Sequence, residues 1–250
     1  MQGSWPYPRW FAHRGAGKLA PENTLAAFRV GASHGYCAFE CDVKLSADGV
    51  PFLLHDSTLQ RTTSGHGPAA ALGWHELSRL DAGAWHSRAF AGEPPPSFES
   101  VARYCIRNAF ALDLEIKPSP GREHETGHVV AEAVTRLWRG IEPPPFLSSF
   151  QPASLAGARD AAPTVPRALL LDTLRAGWLE EAAALGCAAV VTNYTLIDVD
   201  VLARIHGAGL RALVYTVNDP AAAIRLEQLG IDGIVTDAVD RFSPAASSSE

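Results

Sequence analysis

Short apolar runs recur along almost the whole chain, and most gaps between them carry the three-to-four-residue periodicity of an amphipathic helix. The runs RWFAHR (9–14), AFECDVKL (38–45), VPFLLH (50–55) and FALDLEIK (110–117) read as strands. So do FLSSF (146–150), RALLLD (167–172), AAVVTN (188–193), LRALVYTV (210–217) and GIVTD (233–237). Helical patterns such as NTLAAFRVGASHG, SFESVARYCIRN, ETGHVVAEAVTRLWRG and DPAAAIRLEQLG lie between them. Several end at Gly, the usual left-handed helix cap. Such alternation predicts a parallel sheet covered by helices.

Nine strands are one too many for an eight-stranded barrel, and the surplus has a local origin. Only four residues separate Leu45 from Val50, and they include the turn pair Asp48-Gly49. A parallel crossover needs about a dozen residues, so 38–45 and 50–55 form an antiparallel hairpin. Eight parallel strands remain, a (β/α)₈ TIM barrel with one extra hairpin strand. A two-residue turn at 48–49 sets Ala47 against Val50 and Asp42 against His55. Glu40 shares the face of Asp42 because strand side chains alternate. Two carboxylates and a histidine thus gather where a core normally holds aliphatic side chains.

Residues 57–96 break the rhythm and read as an inserted excursion of loops and short helix carrying Trp74, Trp85 and Phe90. Aromatic residues there are expected to form the excursion's own small core. Proline clusters at 94–96 and 143–145 mark loops, and no linker divides the chain. The expectation is one catalytic barrel over 1–242, followed by a disordered tail over 243–250.

A chain of 250 residues with 47% hydrophobic and 19% charged residues suits one globular barrel. The net charge of −6 argues against nucleic acid as partner, but not against a small phosphate, which needs only a few local cations. Cys37, Cys41, Cys105 and Cys187 form no CxxC pair and read as free thiols in a reducing compartment. No run approaches the roughly 20 apolar residues of a membrane span, and MQGSWPYPRWFAHRG lacks a secretory pattern. A cytoplasmic location without membrane insertion follows as the expectation.

Active sites of such barrels lie at the carboxyl ends of the strands. Those ends offer His13 and Arg14, then Glu40, Asp42 and His55, then Glu115 and Lys117, with Ser149 and Asn193 further along. Carboxylates converging from different strands suit a hard divalent cation. Histidines suit proton transfer near neutrality, and Arg14 and Lys117 supply charge for a phosphate. Each has a plainer reading. A lone HRG is weak, paired carboxylates can face solvent, and Asp113 and Glu115 could simply line a rim with Lys117. Burying unpaired carboxylates costs several kcal/mol, however, and the joint arrangement is far more specific than its parts.

As a set, HRG (13–15), PENT (21–24), ECDV (40–43), HDSTLQRTTSGHG (55–67), LEIK (114–117), SSF (148–150), YTVN (215–218) and GIDGIVTD (230–237) resemble the glycerophosphodiester phosphodiesterase family, in its order and over nearly the whole chain. The resemblance implies a (β/α)₈ barrel with a small insertion after the HD motif. It implies Glu40, Asp42 and Glu115 as ligands of one Mg²⁺ or Ca²⁺ ion, His13 and His55 as the acid/base pair, and Arg14 and Lys117 on the phosphate. The implied reaction is metal-dependent hydrolysis of small glycerophosphodiesters to sn-glycerol 3-phosphate and an alcohol. Tyr215 stands where the family usually has Trp, which reshapes an aromatic wall on the alcohol side, and Ala238 stands where it usually has Pro. If fixed polar groups grip only the glycerol phosphate, broad head-group tolerance follows. A lysophospholipase D on the same site would need room for an acyl chain. A binding protein that had lost catalysis should lack a key His or Glu, and none is lost.

Overall fold

The structure, a computed structural model, describes residues 5–242 and 244. Nine strands appear: β1 (Trp10–Ala12), β2 (Ala38–Leu45), β3 (Pro51–Leu53), β4 (Ala111–Ile116), β5 (Phe146–Ser149), β6 (Arg167–Leu171), β7 (Ala189–Asn193), β8 (Arg211–Tyr215) and β9 (Gly233–Thr236). The helices are α1 (Leu25–Ser33), α2 (Trp74–Leu77), α3 (Phe98–Asn108), α4 (Glu123–Leu137), α5 (Pro152–Ala161), α6 (Trp178–Ala184), α7 (Val199–Gly207) and α8 (Pro220–Leu229). The ring runs β1-β9-β8-β7-β6-β5-β4-β2 and closes from β2 back to β1, all parallel, with β3 antiparallel on β2 outside it. The eight-stranded barrel expected from the strand count is therefore present. Apart from Pro244, the tail expected to be disordered lies outside the described residues.

Local chemistry starts the helices where the pattern placed them. Thr24, Ser97, Asp198 and Asp219 accept the backbone N–H three residues on at the starts of α1, α3, α7 and α8, each satisfying a donor the first turn leaves open. Pro152 and Pro220 occupy first helical positions, where the missing N–H is harmless. The outward strand faces, with Trp10, Phe39, Cys41, Val43, Leu112 and Leu114, pack on the apolar stripes of the helices. Each fully buried aliphatic side chain in this shell contributes about 1.5–3 kcal/mol of transfer free energy. The inward faces hold Phe11, Ala38, Phe146, Ala168, Leu170, Ala189, Val191, Leu213 and Val235.

The hairpin register differs from expectation by one residue. Leu45 faces Pro51, Lys44 faces Phe52 and Val43 faces Leu53, so the loop is longer than a two-residue turn. Gly49 N donates to Ser46 O at 3.1 Å, Ser46 N donates to Val50 O at 3.1 Å, and Gly49 sits at φ +79°. This is a three-residue hairpin loop closing on a left-handed glycine. Asp48 stabilises it by accepting from Ser46 Oγ at 2.5 Å and from Trp74 N at 2.9 Å. Asp42 consequently lies across from Leu54, whose N–H donates to the Asp42 carbonyl at 3.1 Å. His55 leaves the strand and comes to the barrel mouth from the loop beyond β3.

The excursion after His55 carries α2 and two short 3-10 turns, Ala69–Ala71 and Arg88–Phe90. Its core is Leu59, Ala69 and Leu77 with Phe52 and Leu54, and Trp74 packs against it. Phe90 covers Ala16, Ala20 and Ala27 instead, and Trp85 remains 42% exposed. Two of the three aromatic residues are thus structural. The four cysteines are free, and among the described residues no helix is long and apolar enough to cross a membrane.

Candidate active site

The site begins with strain. After β1 the chain turns at His13–Gly15 with Arg14 in the left-handed region, φ +51°, a conformation a non-glycine residue adopts only when its surroundings enforce it. Here Arg14 N donates to Glu40 Oε2 at 3.0 Å, and Arg14 O accepts from Asn23 N at 2.9 Å. Gly15, at φ +99°, lets the turn rest directly on α1: a Cβ on Gly31 would fall 2.1 Å from Gly15 O. The PEN residues then grip the site. Asn23 Nδ2 donates to Asp42 Oδ2 at 2.8 Å and Asn23 Oδ1 accepts from Asp42 N at 3.0 Å, while Glu22 accepts from Arg14 at 2.9 Å.

Three carboxylates converge from β2 and β4, which pair Asp42 with Glu115 and Glu40 with Asp113. Glu40, Asp42 and Glu115 each present one oxygen, all within 4.8 Å of one another. Glu40 Oε1, Asp42 Oδ1 and Glu115 Oε1 are buried without a hydrogen-bond donor. Lys117 Nζ lies 2.6 Å from Glu115 Oε1 and 3.6 Å from Asp42 Oδ1, ion pairs that leave both oxygens without an aligned hydrogen bond. Three buried carboxylate oxygens converging on one point, two of them beside the Lys117 ammonium, fit a hard divalent cation.

The electrostatics follow from burial and neighbours. Burial, then the charges of Asp42 and Glu115, pushes the Glu40 carboxyl well above the usual range. Burial and Asp42 push Glu115 up to about 7. Burial also raises Asp42, but Arg14, Lys117 and His55 outweigh it and hold that carboxyl low. Asp113 sits one rung below Glu115, inside the barrel and not at its rim. Ser148 Oγ donates to it at 2.5 Å, and burial lifts its carboxyl well above the ordinary value.

Both histidines use Nδ1 on a carboxylate, His13 on Asp237 at 2.6 Å and His55 on Asp56 at 2.7 Å. A carboxylate is only an acceptor, so Nδ1 carries the proton and Nε2 is left for acid/base work. Asn218 steadies Asp237 at 3.0 Å. The Asp237 carboxyl lies at about 2: burial raises it, but the bonds from His13 and Asn218 and the Arg14 charge outweigh that. Burial lowers His55, against the opposing pull of Asp42. Arg61, from the excursion, meets Asp56 at 2.6 and 3.0 Å and Glu22 at 2.7 and 2.8 Å. One guanidinium thereby links the carboxylate behind His55 to the carboxylate behind Arg14.

All seven expected site residues reach the mouth. His13, Arg14, Glu40, His55, Glu115 and Lys117 line one cavity of about 260 Å³, with Phe150 and Tyr215 as its aromatic wall, and Asp42 lies against it through Lys117 and Arg14. Asn193 does not join them, since its side chain caps the turn at Thr195. Ser149 is buried and donates to Ile116 O at 2.9 Å. Glu22, Asn23, Asp56, Arg61 and Asp237 are given no role by the sequence, although each falls in or beside a quoted motif. Lys44 was also missed. It continues the Glu40–Asp42 face by the same period of two, and burial pushes its ammonium down to about 8.

The sequence model of the glycerophosphoryl diester phosphodiesterase family matches residues 13–241. YhdW of Bacillus subtilis is 33% identical over 235 residues, spanning 92% of this chain and 94% of that protein. A glycerophosphodiester phosphodiesterase from Caldanaerobacter subterraneus is 30% identical over 230 residues, spanning 90% and 92%. A phosphodiesterase of Oleispira antarctica, solved with the product sn-glycerol-3-phosphate, superposes with a TM-score of 0.89 at 31% identity, over 97% of this chain and 98% of that one. The chain belongs to this family and is a phosphoric diester hydrolase.

Proposed function

We propose that this chain hydrolyses small glycerophosphodiesters to sn-glycerol 3-phosphate and the free alcohol, in a cation-dependent reaction in which His13 and His55 exchange the protons. The observation that carries the reading is the paired tethering of the two histidines, each by Nδ1 to an aspartate, beside the converging buried carboxylates of Glu40, Asp42 and Glu115. These three carboxylates would hold one Mg²⁺ or Ca²⁺ ion, which when bound would supply Lewis-acid charge to the reacting groups. Arg14 and Lys117 bind the phosphate and balance the charge that builds on its oxygens.

The glycerol 2-hydroxyl attacks phosphorus, its proton passing to one histidine, while the other protonates the departing alkoxide. The P–O bond to the head group breaks as the ring P–O bond forms. Water then opens the cyclic phosphate with the histidine roles reversed. Asp237 and Asp56 keep both rings in the tautomer this exchange requires. The barrel and its 57–96 excursion act as one catalytic unit, because Arg61 of the excursion grips Asp56 and Glu22. The four free thiols fit action in the cytoplasm.

The test is release of glycerol 3-phosphate from glycerophosphocholine before and after EDTA, then with Mg²⁺ or Ca²⁺ restored. Release that stops on chelation and returns with one ion supports reaction and ligand set together. No release with any ion and any glycerophosphodiester overturns the reading.

A further inference from the structure

A trough of about 630 Å³ opens beside the inner cavity and shares His55, Glu115, Lys117 and Phe150 with it. Its own walls come from Lys44, Asp56, Ser57, Thr58, Glu123 and Gln151. A phosphodiester has two arms. With its phosphorus between the histidines and its glycerol arm at the carboxylates, the second arm leaves through this shared wall.

The chemistry of the trough centres on Lys44. The residue is only 4% exposed, and its ammonium makes one long hydrogen bond, 3.4 Å to the His55 carbonyl. It has no ion pair among the described residues. Among the other charges of the trough, Lys117 faces Glu115 and Asp42, and Asp56 faces Arg61 and His55. Glu123 Oε1 accepts from Gly121 N at 3.0 Å. The charges opposing Lys44, on Asp42, Asp56 and Glu115, make no direct ion pair with it and are held by Arg14, Arg61 and Lys117. A buried charge that is only partly compensated thus lines the path of the second arm.

We propose that the trough is the subsite for the departing alcohol and that Lys44 selects head groups bearing a carboxylate, with sn-glycero-3-phospho-L-serine as the simplest such substrate. The inference rests on the phosphodiesterase reading above. It departs from broad head-group tolerance, because the head group then meets a fixed cation of its own. The ethanolamine ester is the matched control, since it lacks only the carboxylate.

Initial rates with the cation-loaded chain should give a serine-to-ethanolamine ratio of kcat/KM of about ten or more, the scale of one hydrogen bond to a charged group. Lys44→Met should bring that ratio to about one, and Lys44→Arg should keep most of it. Equal handling of both esters by the unaltered chain, or a ratio that Lys44→Met leaves intact, overturns the inference while the phosphodiesterase reading stands. If neither ester is cleaved, that reading fails and calorimetric binding of the same two esters decides the subsite. Tighter binding of the serine ester that is lost in Lys44→Met supports it, and equal or absent binding overturns it. Thermal melts establish that both variants fold.

Discussion

The interior of the barrel holds two layers that solve opposite problems. Toward the amino ends of the strands it is an aromatic plug: Phe146 lies 5.4 Å from Trp5, 5.0 Å from Tyr7 and 5.8 Å from Phe11, ring centre to ring centre. The Tyr7 hydroxyl donates to Pro144 O at 2.8 Å, and Trp5 Nε1 is buried without an acceptor. Toward the carboxyl ends the same cylinder holds Glu40, Asp42, Glu115, Arg14 and Lys117. Strands β2 and β4 cross between these regimes within a few residues, from Ala38 to Glu40 and from Ala111 to Asp113 and Glu115. The plug is held by close packing, the mouth by charges held on other charges. Stability and catalysis should therefore respond to different residues.

The largest expected effect is at the mouth. His13→Ala and His55→Ala should each lower kcat by about 10²–10⁴-fold, the range of general acid/base catalysis, while the melting temperature moves little. Near-normal turnover in both variants would remove the assignment. The converse belongs to the plug. Phe146→Ala should lower unfolding free energy by about 3–5 kcal/mol, as read by urea denaturation, with kcat per folded molecule unchanged. If it abolished turnover in the folded protein, the two layers would not be separable.

Much of this division was legible in the chain, for definable reasons. Strand periodicity and the short Leu45–Val50 gap were enough for eight parallel strands plus one. Positions such as Glu40, Asp42 and Glu115 stood out as polar residues in apolar runs. The hairpin register was not legible, because a turn pair like Asp48-Gly49 fits loops of two or three residues. The choice was made by the Asp48 contacts with Ser46 and Trp74. His55 takes the neighbouring Asp56, but the partner of His13 and the reach of Arg61 were hidden for another reason. Asp237 meets His13 across 224 residues and Arg61 meets Glu22 across 39, and no local pattern encodes such pairings.

The third expectation concerns the mouth without its cation. The Glu115 carboxyl, ordinarily near 4.5, is pushed up to about 7, and Glu40 is pushed up as well. A raised carboxyl means that the folded state binds more protons than the unfolded one, so stability falls as pH climbs from about 4.5 to 7. Asp237, lowered to about 2, has the opposite sign and loses its contribution only as pH falls through the range from 3.8 to 2. In EDTA the melting temperature should thus decline from pH 5 to pH 7, with the lowered His55 offsetting part of the fall because its sign is opposite. Mg²⁺ or Ca²⁺ should restore it most at the upper end, where the carboxylates are ionised. A cation-free curve that rose over this interval would mean that the carboxylates are not crowded as described.

The smallest effect separates the layers most sharply, because it uses a residue in neither. The Arg61 side chain is 44% exposed, yet it bonds both Asp56 and Glu22, the carboxylates behind His55 and Arg14. Exposed ion pairs contribute little to stability, so Arg61→Ala should leave the melting temperature nearly unchanged. As a positioning residue, however, it should matter for rate. Without it Asp56 can swing away from His55 Nδ1, and Glu22 no longer fixes the guanidinium of Arg14. A fall in kcat of about ten- to a hundredfold is expected, the scale of outer partners around a functional centre, with KM changed far less. The pH–rate profile should shift on the limb that belongs to His55, since that ring loses the carboxylate favouring its protonated form. Arg61→Lys should recover only part of the rate, because a single ammonium cannot bond two carboxylates through a planar fork. A full recovery by lysine would reduce Arg61 to a local charge, and a loss of stability equal to the loss of rate would make it part of the packing after all.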